Sequence, residues 1–247
     1  MHRIWPPEES GPVDEQYVER LYRYPDDHPK WLAVNFVCSA DGAVEIAGRS
    51  AGLTNPADQQ VYRLGGDLAD VRLVGAGTAM IEEFRGIRPT ESTVRQRRRH
   101  GLADVPPVAV VTSGRSLPPD APVITDVLTP TIVITCAAAR EELREAWTAA
   151  GASVLVAGTD TVDLAAAVDG LVECGLSRIH CDGGPQVFGA ALTAGLVDEL
   201  RLTMSPLLVC GPAERIAIGM RIDPSALELA SVLAEDNTLM LRYLVKR

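Results

Sequence analysis

Asp182 is followed directly by Gly183, Gly184 and Pro185. That run joins an acid to a sharp turn and a helix start. Glycine pairs let a ligand approach bare backbone, and proline suits the first helical position because its missing N–H would have had no partner there. Val187, Phe188, Ala191 and Leu192 then recur at helical spacing. A helix that begins just after glycines presents free N–H groups and a positive dipole end, which suits a phosphate or pyrophosphate. Gly75-Ala76-Gly77-Thr78 repeats the arrangement after another apolar run, without the third glycine of the dinucleotide fingerprint, since position 80 is Met80. Ser113-Gly114-Arg115 follows a third strand, where a hydroxyl and an arginine suit a 2′-phosphate. Each of these is also what a ligand-free connection looks like, but two glycine turns at the carboxyl edge of one sheet point to the edge where α/β sheets bind ligands. The candidate acids are Asp41, Asp67, Glu82, Glu83 and Asp182. Asp67 follows Gly65-Gly66 at the end of an apolar helix, as a surface cap or as an acid facing a cleft.

The elements that must position these residues alternate. Strands are expected over 31–38, 70–74, 108–112, 122–125, 131–135, 153–156, 178–181 and 200–204, with a second extended piece at 43–46. Helices are expected over 14–24, 79–84, 91–101, 137–150, 163–173 and from Pro185. Asn55 and Pro56 open another that reaches Gly65-Gly66, with Asp58 in the first turn, where negative charge is favoured. Residues 227–233 and 238–245 read as a closing antiparallel pair. The pattern predicts a three-layer α/β fold with a mostly parallel central sheet. Residues 1–30 read as an N-terminal arm and 31–247 as a single domain.

Composition narrows the function. Apolar residues make up 47% of the 247 and supply a sizeable core, whereas aromatics are 4%, too few for base-stacking platforms. A net charge of −10 argues against nucleic acid and anionic membranes as partners. Five cysteines without a C-x-x-C pair argue against a disulfide framework or a zinc site, so no metal is expected, and they suit a reduced, cytoplasmic setting. The N-terminus has no apolar signal-peptide core. With no G-x-S-x-G and no P-loop, hydrolase and kinase readings have no support.

Taken together, Ser39-Ala40-Asp41-Gly42, Gly48-Arg49-Ser50 with Leu53-Thr54, the stretch from Ala69-Asp70 to Gly77-Thr78, and Asp182-Gly183-Gly184 followed by Leu196 to Leu200 resemble the reductase domain of bacterial riboflavin biosynthesis, the RibD C-terminal domain family. The likeness runs from about Trp31 to Val245. It implies a dihydrofolate-reductase-like fold, NADPH as cofactor, a homodimer paired through the C-terminal strands, and reduction of the ribose of 5-amino-6-(5-phosphoribosylamino)uracil to ribityl. Cofactor contacts carry over to Thr54, Thr78, Glu82, Ser113 and the turn and helix start through Gly183, Gly184, Pro185, Gln186, Val187 and Phe188, beside Gly75, Gly77 and Arg115. Substrate contacts carry over to Ser50 and Asp182.

Three departures bear on the substrate. Gly66 stands where the family has an arginine, Asn35 where the first strand commonly has a lysine, and Glu82-Glu83-Phe84 in place of an Asp-Asp-Pro loop. Losing a guanidinium removes a fork for phosphate, which Arg85, Arg88 or the Arg97 to Arg99 run would have to restore. The alternatives are dihydrofolate reduction, with Asp67 holding the N–H edge of the pterin ring and helping to protonate it, and NADPH binding without turnover.

Overall fold

The computed structural model describes residues 1–246. Its strands are β1 (His2–Trp5), β2 (Gly11–Pro12), β3 (Trp31–Ser39), β4 (Val71–Gly75), β5 (Val108–Val111), β6 (Ile132–Thr135), β7 (Ser153–Val156), β8 (Arg178–Cys181), β9 (Glu199–Ser205), β10 (Leu227–Glu235) and β11 (Thr238–Val245). The helices are α1 (Glu15–Tyr22), α2 (Pro56–Asp67), α3 (Ala76–Ile81), α4 (Glu91–Arg99), α5 (Pro122–Thr125), α6 (Glu141–Ala149), α7 (Leu164–Glu173) and α8 (Pro185–Thr193). One sheet holds the strands in the order β2-β1-β10-β11-β9-β3-β8-β4-β5-β6-β7. From β9 to β7 every pairing is parallel, and from β9 through β11 and β10 to β1 and β2 every pairing is antiparallel. This is the mostly parallel sheet with a C-terminal antiparallel pair that the alternation predicts.

Successive strand residues point to opposite faces, and the core divides accordingly. Leu32, Val34 and Leu73 pack under α7 and α8 with Val168, Leu171 and Phe188. Ala33 faces the other way, onto α1 and α2 with Val18, Tyr22 and Val61, and Val74 faces α3, α5 and α6 with Ala79, Ile124 and Trp147. The three layers are therefore helices, sheet, helices.

Local expectation and structure part in three places. Residues 122–125 form a helical turn, because Pro122 opens it and Val123 and Ile124 are buried against β6 instead of pairing. Residues 43–46 form no strand; the chain there makes only a bridge between Ile46 and Arg49. Residues 2–5, within the expected arm, extend the sheet along β10, with Arg3 buried at its edge.

A buried charge group ties the antiparallel half to α1. Glu199 accepts from Arg201 Nε at 2.7 Å, from Arg242 Nε at 2.7 Å and from Trp31 Nε1 at 3.0 Å. Burial is the strongest influence on this carboxyl and opposes ionisation, yet Arg201 and Arg242 together outweigh it and hold the pKa at about 2, from an ordinary 4.5. A depressed acid contributes stability above its unfolded pKa and loses it as pH falls toward the folded value. Wild-type unfolding free energy, measured in urea, is expected to drop as pH falls from about 4.5 to about 2. Glu199→Gln leaves two guanidiniums without their anion and is expected to cost about 3 kcal/mol at neutral pH and to flatten that decline. An unchanged pH profile in the variant would remove this account.

Candidate functional site

Outside the carboxyl ends of the parallel strands β3, β4 and β8 lies a cavity of about 510 Å³. That is the usual place and size for a small-molecule site in such sheets. Phe36 and Asn35 from β3 form part of its wall, α2 contributes Asp58, Gln59, Tyr62 and Arg63, and the loop before α2 contributes Ser50 and Thr54. Thr78 and Glu82 close the α3 side, and Asp182, Gly184 and Pro185 close the α8 side.

The glycine turn is built by close backbone approach. Asp182 N–H donates to Leu73 O, and Gly75 N–H to Gly183 O, both at 2.8 Å. The Gly183–Gly184 peptide is cis, and Gly183 has φ +81°. A Cβ at Gly184 would lie 2.1 Å from Thr78 Oγ1, and one at Gly75 would lie 2.9 Å from Val187 Cγ2 and 3.6 Å from Gly184 N. α3 and α8 thus begin side by side, each with a glycine N-cap and no side-chain cap. Pro185 has no N–H to offer, so the free donors of the first turns are those of α3 and, in α8, those that follow Pro185, a set that fits a dinucleotide pyrophosphate.

Beneath the turn, Arg72 Nε and Nη2 donate to Asp182 Oδ2 and Oδ1 at 2.9 and 2.7 Å. Arg72 also donates to the Tyr62 hydroxyl, and its guanidinium lies 4.7 Å from the Tyr62 ring centroid. His180 Nε2 lies 3.4 Å from Asp182 Oδ1. Burial opposes ionisation of Asp182 most strongly, but Arg72 and then His180 prevail and hold the carboxyl well below the ordinary range. Burial keeps His180 below its ordinary value, hence neutral. The Asp182 side chain is only 1% exposed. Its carboxylate is held by Arg72, and the residue lines the cavity where the glycine turn begins.

Asp58 lies one turn into α2, 5% exposed, on the cavity wall. Burial raises its pKa above the ordinary value, with Thr54 and Thr203 opposing only in part. The Thr54 hydroxyl donates to it. Sequence reasoning took Asp58 for a helix-end charge and missed it as a site residue. The signal was available: Asp58 and Tyr62, like Gln59 and Arg63, are four apart, so each pair shares a helix face.

Asp67 is not brought into the cavity. It lies nine residues beyond Asp58 on the same helix, which is two and a half turns, about 13 Å along the axis and on the opposite side. Its carboxyl is beside Thr93 and the Arg72, Arg97 and Arg63 charges, with burial raising its pKa. Arg88 is also outside the cavity, held with Arg85 on Asp126. Arg97 donates to the carbonyls of Asp67, Ala69 and Ala103, Arg98 pairs with Asp104, and Arg99 with Glu19. Ser113 and Arg115 are exposed at the end of β5, beyond the cavity wall. Gln186 is exposed, whereas Val187 and Phe188 are buried in the core and offer only backbone. Gly77 is exposed in the first turn of α3.

The family model of the RibD C-terminal domain matches residues 30–241, and the chain belongs to that family. A 2,5-diamino-6-ribosylamino-4(3H)-pyrimidinone 5′-phosphate reductase of Methanothermobacter thermautotrophicus is 31% identical over 222 residues, covering 87% of this chain and 98% of the relative. The reductase of the same name from Archaeoglobus fulgidus is 26% identical over 184 residues, 73% of this chain and 82% of the relative. A pyrimidine reductase-like protein from Corynebacterium diphtheriae shares the fold, with TM-score 0.78 at 24% identity over 88% of this chain and 92% of that one.

The contact between Gly184 and Thr78 gives a direct test of the turn. Gly184 has φ −72°, so alanine is allowed by the backbone and meets only the Thr78 hydroxyl. Gly184→Ala is expected to cost about 1–3 kcal/mol in urea unfolding. Thr78→Ala in the same chain should recover more than half of it. Full stability in the single variant would show that the turn is not packed this way.

Proposed function

We propose that this member of the RibD C-terminal domain family is an NADPH-dependent oxidoreductase that reduces a 5′-phosphorylated ribosylaminopyrimidine of the kind named for its archaeal relatives. The observation that carries the proposal is Asp58, a buried carboxyl on the wall of the cavity whose pKa burial raises above the ordinary value. Reducing a ribosylamino group to ribitylamino needs a proton on the ring oxygen as the C1–O bond breaks and the nitrogen lone pair forms C=N, then hydride at C1. Asp58 is placed to give that proton and to regain it from solvent. NADPH bound at the glycine turn supplies the hydride. The N–H groups that open α3 and α8 would hold its pyrophosphate, and Ser113 and Arg115, beside them at the carboxyl edge, its 2′-phosphate. A homodimer in the cytoplasm belongs to the same proposal, and free cysteines are consistent with that compartment. Since β10 and β11 are hydrogen-bonded on both sides, copies would pair through a sheet face, not a strand edge.

The test is NADPH oxidation with the phosphorylated ribosylaminopyrimidine, with dihydrofolate as comparator. A general acid works only while protonated, so the wild-type rate should fall as pH rises through the raised pKa of Asp58. Asp58→Asn is expected to lower turnover about 10²-fold or more and to flatten that profile, while Asp67→Asn leaves both alone. Wild-type turnover in Asp58→Asn would exclude the assignment. For the cofactor, Arg115→Ala should raise the KM for NADPH about tenfold, the effect of one charge-assisted hydrogen bond, without changing that for NADH.

A further inference from the structure

The arginines expected to meet a substrate phosphate are all engaged elsewhere: Arg85 and Arg88 on Asp126, Arg97 on backbone carbonyls, Arg98 on Asp104 and Arg99 on Glu19. Gly66 also leaves no room for a guanidinium of its own. A Cβ there would lie 3.2 Å from Arg72 Cδ and 3.3 Å from Arg72 Nε, and Arg72 is consumed by Asp182. Arg63 is different. It lines the cavity at its exposed mouth and forms no ion pair among the described residues. Gln59, one turn earlier, holds it in place: Arg63 Nε donates to Gln59 O at 3.1 Å and Nη2 to Gln59 Oε1 at 3.0 Å. That leaves Nη1 and the remaining Nη2 hydrogen for a ligand.

We infer that Arg63 grips the anionic end of the substrate, a phosphate monoester, and so selects phosphorylated over unphosphorylated substrates. The inference rests on the reading that Asp58 serves the reacting carbon. Arg63 is five residues further along α2, about 7.5 Å along the axis and about 140° around it, and the two residues line one cavity, Asp58 buried and Arg63 exposed at the mouth. Glu45 and Glu214 also line the wall, and Glu82 accepts from Ser50 N–H at 2.8 Å. Against these carboxylates Arg63 decides whether a dianion is admitted. A planar fork suits a phosphate, and Arg63 is half prepared for it by Gln59.

Arg63→Ala should raise the KM for the phosphorylated ribosylaminopyrimidine about 10- to 100-fold, the range of hydrogen bonds to charged groups, with kcat near wild type. The KM for its dephosphorylated form should not move, and Arg63→Lys should recover part of the loss. Equal effects on both forms, or none on the phosphorylated one, would overturn the inference. A second measurement does not depend on turnover. Ribose 5-phosphate should bind the wild type at least tenfold more tightly than ribose, and Arg63→Ala should erase the difference. No preference in the wild type, or an undiminished one in the variant, overturns the inference even where activity is seen. If the wild type oxidises NADPH only with dihydrofolate while the ribose 5-phosphate preference depends on Arg63, the grip stands and the reading of the substrate fails.

Discussion

Two buried guanidiniums set the terms for the rest of this molecule. Arg72 and Arg201 both lie against the C-terminal half of α2, where a Cβ at Gly65 would come within 2.7 Å of Arg201 Nη1 and one at Gly66 within 3.2 Å of Arg72 Cδ. Buried cations are tolerated only with anions and hydrogen-bond acceptors around them. Asp182 answers Arg72 and Glu199 answers Arg201, while Tyr62, Tyr22 and Tyr24 present ring faces to the two cations. Gly65 is therefore closely required by the charge cluster, and Gly66 packs tightly against Arg72. The cluster takes up the far end of α2, and the residues of that helix that line the cavity run from Asp58 to Arg63.

Two aspartates at one end of the sheet show how environment assigns a role. Asp182 meets a fixed bidentate arginine and stays ionised, as the clamp under the glycine turn. Asp58 meets hydroxyls instead of a cation, and burial then raises its pKa. Carboxyls whose surroundings drive their pKa values apart are the usual mark of divided labour in an active site. The clamp also has a positional consequence. Arg72 is on β4 and Asp182 follows β8, so their pair fixes the two strands whose ends start α3 and α8. The starts of α3 and α8 and the Tyr62 wall are thereby held by the same guanidinium.

Much of the architecture was legible because local and global signals agree. Asn55 and Pro56 announce α2, and Asn55 indeed accepts from Asp58 N–H. The glycine turn after β8 was legible for the same reason: a Cβ at Gly183 would meet Phe36 and one at Gly184 would meet Thr78. Side-chain direction was less so. Nothing local tells that Arg72, in an otherwise apolar strand, will capture Asp182. Asp67 was attractive because glycines precede it, but the helix runs through both glycines and carries the carboxylate to the far side. Residues 122–125 and 43–46 were misjudged because short apolar runs do not distinguish a strand from a buried turn.

The missing family cations at positions 35 and 66 raise the question of how a chain with a net charge of −10 holds anions at all. The geometry answers with backbone. Two helix starts capped by glycine place their N–H groups together, a source of positive potential that carries no net charge and needs no counterion in the empty site. Side-chain cations are then needed only where the ligand leaves the backbone's reach, and there the chain has Arg63 at the cavity mouth and Arg115 at the end of β5. Each is exposed and unburdened by an ion pair among the described residues, whereas the cations nearest the centre are neutralised internally. On the proposed function, recognition would separate into a buried, self-compensated charge cluster that fixes shape and a thin outer set of donors that meets the ligand. That division would explain how one arginine position of the family can be vacated without leaving its cavity blind to charge.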